Sequence, residues 1–189
     1  MWRNKMDLEE KITKYLDESI ECITDLKNKK DQIQKIISVF QEAKKQKKKV
    51  FLLGNGGSAS TASHLICDFN KFRGLRAIAL TNSLSLITAW SNDDDYSVIF
   101  KQQLQTLADP GDIVVGFSGS GKSPNIIEAF KYAKELGCFT IGFTGFDGGF
   151  LKNVADECII VEVNNMQHSE DMHILIGHMI AFLMEDTEG

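Results

Sequence analysis

The sequence predicts an α/β protein built on a doubly wound parallel sheet, and three observations carry that expectation. Short, largely apolar runs at 50–53, 77–80, 113–115, 139–143 and 158–161 are apolar at consecutive positions, not alternate ones. Stretches of helical periodicity separate them, and segments rich in glycine and serine directly follow the first and third runs. Consecutive apolar positions mark strands buried on both faces. Strands alternating with helices imply right-handed crossovers, and ligands of such sheets gather at the carboxyl ends of the strands.

Taken in order, the first elements are helical. Leu8, Ile12, Tyr15, Ser19, Cys22 and Leu26 recur at spacings of three and four, and Ile33, Ile36, Ile37, Phe40 and Ala43 form a second stripe. Residues 1–48 are therefore expected to form a helical hairpin within the same domain as 49–189, its narrow seam buried on that domain or on a second copy. The basic run 44–49 reads as a last helical turn, where lysines complement the helix dipole. A chain of 189 residues, 43% hydrophobic and 25% charged, without a Pro- or Ser-rich linker, has the size of one domain. No apolar run approaches the ~20 residues that cross a bilayer, and residues 1–10 are too polar for a signal peptide. A formal net charge of -5 disfavours nucleic acid as a partner. Cys22, Cys67, Cys138 and Cys158 are scattered without C-x-x-C spacing and read as buried, reduced thiols, so a cytoplasmic location is expected.

The segment Gly54-Asn55-Gly56-Gly57-Ser58-Ala59 joins the first strand to a helix, so its backbone N–H groups and the helix dipole face an anion. It also spells the dinucleotide fingerprint G-x-G-x-x-A, but the acidic residue that would hold a ribose is missing where the next strand ends in Leu80-Thr81-Asn82. Residues 116–123 spell the Walker A pattern G-x-x-x-x-G-K-S, with Lys122 as its lysine. The aspartate such a loop needs on another strand has only Glu162 as a substitute. Turn chemistry alone would account for serine and glycine at these places. One phosphoryl group held jointly by both loops accounts in addition for Ser118, Ser120 and Ser123 as short uncharged donors, with Pro124 at a helix start where its missing N–H costs nothing.

Histidine and carboxylate side chains gather on two helices. After the first loop, Thr61, His64 and Asp68 share one stripe. On the last helix Glu170, His173 and His178 recur, with Glu170 and His178 about 80° apart around the axis. Imidazoles and carboxylates from two helices make either a metal site or an acid–base pair. A surface i,i+4 pair is the plain alternative for His64 with Asp68. His168 reads as a loop or cap residue and His173 as structural or exposed.

These motifs resemble the sugar isomerase (SIS) domain and, within it, the phosphoheptose (sedoheptulose 7-phosphate) isomerases. The N-G-G-S loop, the T-A-x-x-N-D segment from Thr88 to Asp93, the S-x-S-G-x-S-P-N loop from Ser118 and the T-G-x-D-G-G segment from Thr144 come in the family's order. The resemblance implies a five-stranded sheet in flavodoxin-like order, a homotetramer, and a metal-assisted aldose–ketose isomerase acting on a sugar phosphate. It implies that Asn55, Gly56, Gly57, Ser58, Asn92, Asp93, Ser118, Gly119, Ser120 and Ser123 bind that substrate together with Asp68 and Glu170. It further implies one zinc ion per subunit held by His64, Asp68, Glu170 and His178, with Asp68 and His178 moving the proton. The family carries glutamate where this chain has Asp68, glutamine where it has Glu170, and often asparagine in place of Lys122, and segment 70–76 is shorter than is typical. Non-catalytic phosphosugar-binding regulators also belong to the SIS family and form the alternative expectation.

Overall fold

The computed structural model describes residues 7–184, so residues 1–6 of the expected N-terminal segment and 185–189 of the remainder lie outside the described residues. The elements are α1 (Leu8–Leu26), α2 (Lys30–Lys45), β1 (Lys49–Gly54), α3 (Gly57–Cys67), β2 (Arg76–Ala79), α4 (Leu84–Asp93), α5 (Ile99–Leu107), β3 (Ile113–Ser118), α6 (Pro124–Leu136), β4 (Phe139–Gly145), α7 (Leu151–Val154), β5 (Glu157–Val161) and α8 (Met166–Leu183). All strands are parallel, in the order β2-β1-β3-β4-β5. The order reverses between β1 and β3, and the crevice at that switch point is where sheets of this kind bind ligands. Leu53 lies beside Gly116 and Gly54 beside Phe117, so both glycine- and serine-rich loops leave the sheet there, side by side.

Each strand feeds two cores because its side chains alternate between faces. Val50, Leu52, Val115, Phe117, Ile141 and Phe143 pack with residues of α1, α2, α3 and α8. Phe51, Leu53 and Val114 pack with α5, α6 and α7. At about 1.5–3 kcal/mol per fully buried large side chain, these two layers fix the sheet between its helices. Gly116 lets α6 lie close on β3, since a Cβ there would come within 2.6 Å of Phe130 Cε2. The start of α6 is thereby held against the crevice.

The N-terminal helices depart from the expected hairpin. A single 3-10 turn, Lys27–Lys29, joins them with helical backbone at Leu26, Lys27 and Lys30, so they form one bent helical stretch, and both pack on α8. A capping box between Asp7 and Glu10 fixes its beginning. Of the expected α1 stripe only Cys22 and Leu26 are buried, while Leu8, Ile12, Tyr15, Leu16, Ile20 and Ile23 are exposed. The basic run outlasts its helix: α2 ends at Lys45, and Lys49 opens β1 with its ammonium held by Asp109 and Asp112. Cys22 and Cys138 are buried and Cys158 half-buried, whereas Cys67 is exposed on α3, contrary to expectation. Among the described residues no helix is long and apolar enough to cross a membrane.

Candidate active site

The first loop turns through Gly56, whose φ of 55° and ψ of −124° suit glycine alone. No side chain caps α3, so its first N–H groups face the crevice with the helix dipole behind them. In contrast, α6 begins at Pro124, which has no N–H, and its Ile126 N–H is taken by Asn125 Oδ1 and the Ser123 carbonyl. A cavity of about 280 Å³ opens there, lined by Asn55, Gly56, Gly57, Ser58, Phe117, Ser118, Gly119, Ser120, Ser123, Met166 and Glu170. Backbone amides, hydroxyls and one carboxylate, that of Glu170, line it, without a lysine or arginine. Phe117 and Met166 carry no motif that marks them in the sequence. Met166 crosses the serine loop where a Cβ on Gly119 would collide with its sulfur. Glu170 approaches from α8, and a Cβ on Gly57 would lie 2.5 Å from its Oε2.

A second constellation lies further along the same two helices. Past Cys67, α3 widens into one π-helical turn, Asp68–Phe72, a local geometry frequent at functional sites. His64 Nε2 and His178 Nε2 are 2.9 Å apart, His178 Nε2 is 3.6 Å from Asp68 Oδ2, and ligating atoms of all three lie within 4.8 Å of one another. Asp68 and His178 also line a cavity of about 490 Å³ with Phe72, Arg73, Ala181 and Phe182. Two imidazole nitrogens that face each other must share a proton or a cation. Two imidazole nitrogens and a carboxylate oxygen gathered this closely are a donor set that suits a zinc ion. Two imidazoles and a carboxylate also leave one ligand position open, as catalytic zinc sites do.

Glu170, expected as the fourth ligand, is not in this set. Eight residues of α8 separate it from His178, about 12 Å of helix rise, and its carboxylate is turned to Gly57 at the loop end. Asn92 and Asp93, expected against the substrate, line neither cavity. They close α4, which buries no residue, and the Asn92 amide donates to Asp93 Oδ1 at 2.8 Å. Lys122 is exposed outside the pocket and α6 starts only at Pro124, while Glu162 is exposed and lies 3.6 Å from Lys29, so the parts of a nucleotide loop are not assembled. His168 is not a loop residue. It is wholly buried in the first turn of α8, with Nδ1 3.2 Å from Ser19 Oγ and Nε2 3.2 Å from Glu18 Oε2, and it joins α8 to α1.

His173 is buried beneath the serine loop, its ring centroid 6.3 Å from those of Phe117 and Phe143. Burial pushes its pKa down to about 4, opposed by the Thr144 backbone, which favours the proton. The folded imidazole is therefore neutral near pH 7, while the unfolded one titrates at its ordinary 6.5. As pH falls from 6.5 towards 4 the unfolded chain takes up a proton that the folded chain refuses, so stability drops by up to about 3 kcal/mol and is level above that window. Urea unfolding at pH 7 and pH 4.5 is expected to show this drop, and His173→Met is expected to remove most of it. An equal pH dependence in both proteins would refute it.

Comparison with known proteins agrees with the motifs. Residues 14–145 match the family model described as the SIS domain. The probable phosphoheptose isomerase of Thermoplasma acidophilum is 43% identical over 181 residues, covering 92% of this chain and 97% of that protein. The phosphoheptose isomerase of Clostridium acetobutylicum is 44% identical over 160 residues, 82% of each. The solved structure of a phosphoheptose isomerase from Francisella tularensis superposes with a TM-score of 0.90 at 30% identity, covering 95% of this chain and 98% of that one. With the strand order, the paired loops and these similarities in agreement, the chain belongs to the SIS-domain family, among the phosphoheptose isomerases.

Proposed function

We propose that this protein interconverts the ketose and aldose forms of a seven-carbon sugar phosphate at a site running from the paired loops to His64, Asp68 and His178. One observation carries the proposal: the helices whose N-terminal ends border the anion pocket, α3 and α8, also bring the three reactive side chains together. From Ser58 to His64, α3 rises about 9 Å. An extended seven-carbon chain with C–C bonds of about 1.5 Å and tetrahedral angles spans about 7.5 Å, and the phosphate ester adds about 2.5 Å to its reach. A phosphate held at the loops thus leaves the other end of the sugar at the triad.

His64, Asp68 and His178 would hold one zinc ion per subunit, and the chemistry such an ion supplies is polarisation of the substrate carbonyl. The loops supply uncharged donors, the amides of residues 56–58 and the hydroxyls of Ser118, Ser120 and Ser123, which fix the phosphate and so orient the chain. Asp68, half-buried and beside His178, takes the proton from C1 and the pair returns it to C2, while the O1 hydroxyl proton passes to O2, so that the carbonyl moves from C2 to C1. Glu170 lines the loop cavity beside Gly57, where its carboxylate can accept from the sugar hydroxyls nearest the phosphate. The exposed apolar row of α1 and the unburied α4 are surfaces that a homotetramer would cover. A cytoplasmic location suits the four free cysteines.

Zinc-loaded protein incubated with sedoheptulose 7-phosphate in D₂O is expected to form the aldose with deuterium at C2, followed by NMR. Binding of C5 to C7 ketose phosphates without conversion of any would overturn the proposal.

A further inference from the structure

We propose that Asn125 is a positioning residue that, through Asn55 and Tyr96, sets the spacing of the two phosphate loops. Asn125 is 1% exposed, lies in the first turn of α6 and lines neither of the two cavities of the site. Its Nδ2 donates to Asn55 Oδ1 at 2.8 Å, and Asn55 Nδ2 donates back to Asn125 Oδ1 at 2.9 Å. Tyr96 donates its hydroxyl to Asn55 Oδ1 at 3.0 Å, and the Ile126 backbone N–H donates to Asn125 Oδ1 at 3.0 Å.

These bonds leave no freedom in how the two amides are turned. The Ile126 N–H must face an oxygen, which fixes Asn125. The Asn125 amino group must then face an oxygen, which fixes Asn55 and agrees with the Tyr96 hydroxyl. Both lone pairs of the Asn55 oxygen are consumed, so that oxygen is a strut between the loops and has no capacity left for a ligand. The strut precedes Gly56, which has no side chain to pin its strained backbone. Across the crevice, the Ile126 N–H is shared between Asn125 Oδ1 and the Ser123 backbone carbonyl and does not draw on the Ser123 hydroxyl, which stays available to the pocket that Ser123 lines. One buried carboxamide thereby holds one loop at its distance and keeps a donor of the other loop free.

The inference rests on the loops being the phosphate site, and two probes keep failure of the two ideas apart. Inorganic phosphate and sedoheptulose 7-phosphate would be titrated into zinc-loaded wild type, Asn125→Ala, Asn55→Ala, the double variant and Tyr96→Phe, with turnover and zinc content measured alongside. Wild type that binds neither probe refutes the phosphate site itself. With that site intact, Asn125→Ala is expected to raise the phosphate Kd and the sugar-phosphate KM about tenfold, with kcat within threefold of wild type and zinc unchanged. Asn55→Ala should match it, and the double variant should be no worse than twofold beyond either single, because the two amides act as a unit. Tyr96→Phe, exposed and removing only a hydroxyl, should raise both constants two- to fivefold and tests the network if Asn125→Ala does not fold. Wild-type KM and Kd in Asn125→Ala, or losses that multiply in the double variant, would overturn the proposal.

Discussion

Replacing His178 with alanine is expected to lower kcat by 10³-fold or more and to abolish the proposed zinc binding, while affinity for the sugar phosphate changes little. His178 touches both other members of the triad, at 2.9 Å from His64 and 3.6 Å from Asp68. Without it a metal keeps two ligands where catalytic zinc sites use three. The proton-transfer pair is broken as well, and such pairs contribute about 10²–10⁴-fold on their own. The phosphate end should hardly notice, because the loop cavity does not include this residue. The fold should not notice either: His178 is exposed, and substitutions at such positions usually stay within about 0.5 kcal/mol. Kinetics, metal content and a thermal melt on one preparation would therefore move separately. A His178→Ala protein that keeps its zinc and more than a tenth of its activity would remove the triad from the mechanism.

The sheet and the two glycine- and serine-rich loops at its switch point were legible in the sequence because their physics is local. A strand buried on both faces needs consecutive apolar residues, and a turn like that at Gly56 needs glycine, so residues 50–58 and 113–123 declare themselves. His64 with Asp68 was legible for the same reason, since i,i+4 spacing alone puts them on one face. What stayed hidden depends on partners far along the chain. Helical angle placed Glu170 and His178 on related faces, but not the direction Glu170 takes, which Gly57 decides by offering space. The burial of His168 rests on Glu18 and Ser19, about 150 residues earlier. The bend between α1 and α2 did have a signal that periodicity within each helix conceals: Lys27-Asn28-Lys29 contains no glycine or proline to reverse the chain. Asn125 was visible as a motif letter, yet its partner lies 70 positions away.

Gly177→Val is expected to produce the other large loss, about 10²-fold in activity with weakened zinc binding, although Gly177 touches no substrate. Glycine inside an α-helix costs about 1 kcal/mol relative to alanine, so its place in the middle of α8 asks for a reason. A Cβ on Gly177 would lie 2.7 Å from Leu65 Cδ2 and 3.1 Å from Leu65 Cγ, and Leu65 is wholly buried in the core. The helices α3 and α8 therefore meet at residues 65 and 177, each next in sequence to one of the facing histidines, His64 and His178. A valine there overpacks a closed contact at a cost of about 1–3 kcal/mol, and the cheapest relief is to part the helices. Parting them by about 1 Å separates the imidazoles that would hold the proposed ion, and displacements of that size cost about 10²-fold in a positioned reaction. Gly177→Ala should do less, since the obstructing atoms are the end of one leucine side chain that can turn aside. The decisive variant adds Leu65→Ala to Gly177→Val. Returning the volume should let the helices close, so zinc binding and part of the activity recover even though a second core residue has been shortened. If stability falls further and activity does not return, the loss in Gly177→Val comes from general damage to the core, and the approach of α3 to α8 is set elsewhere.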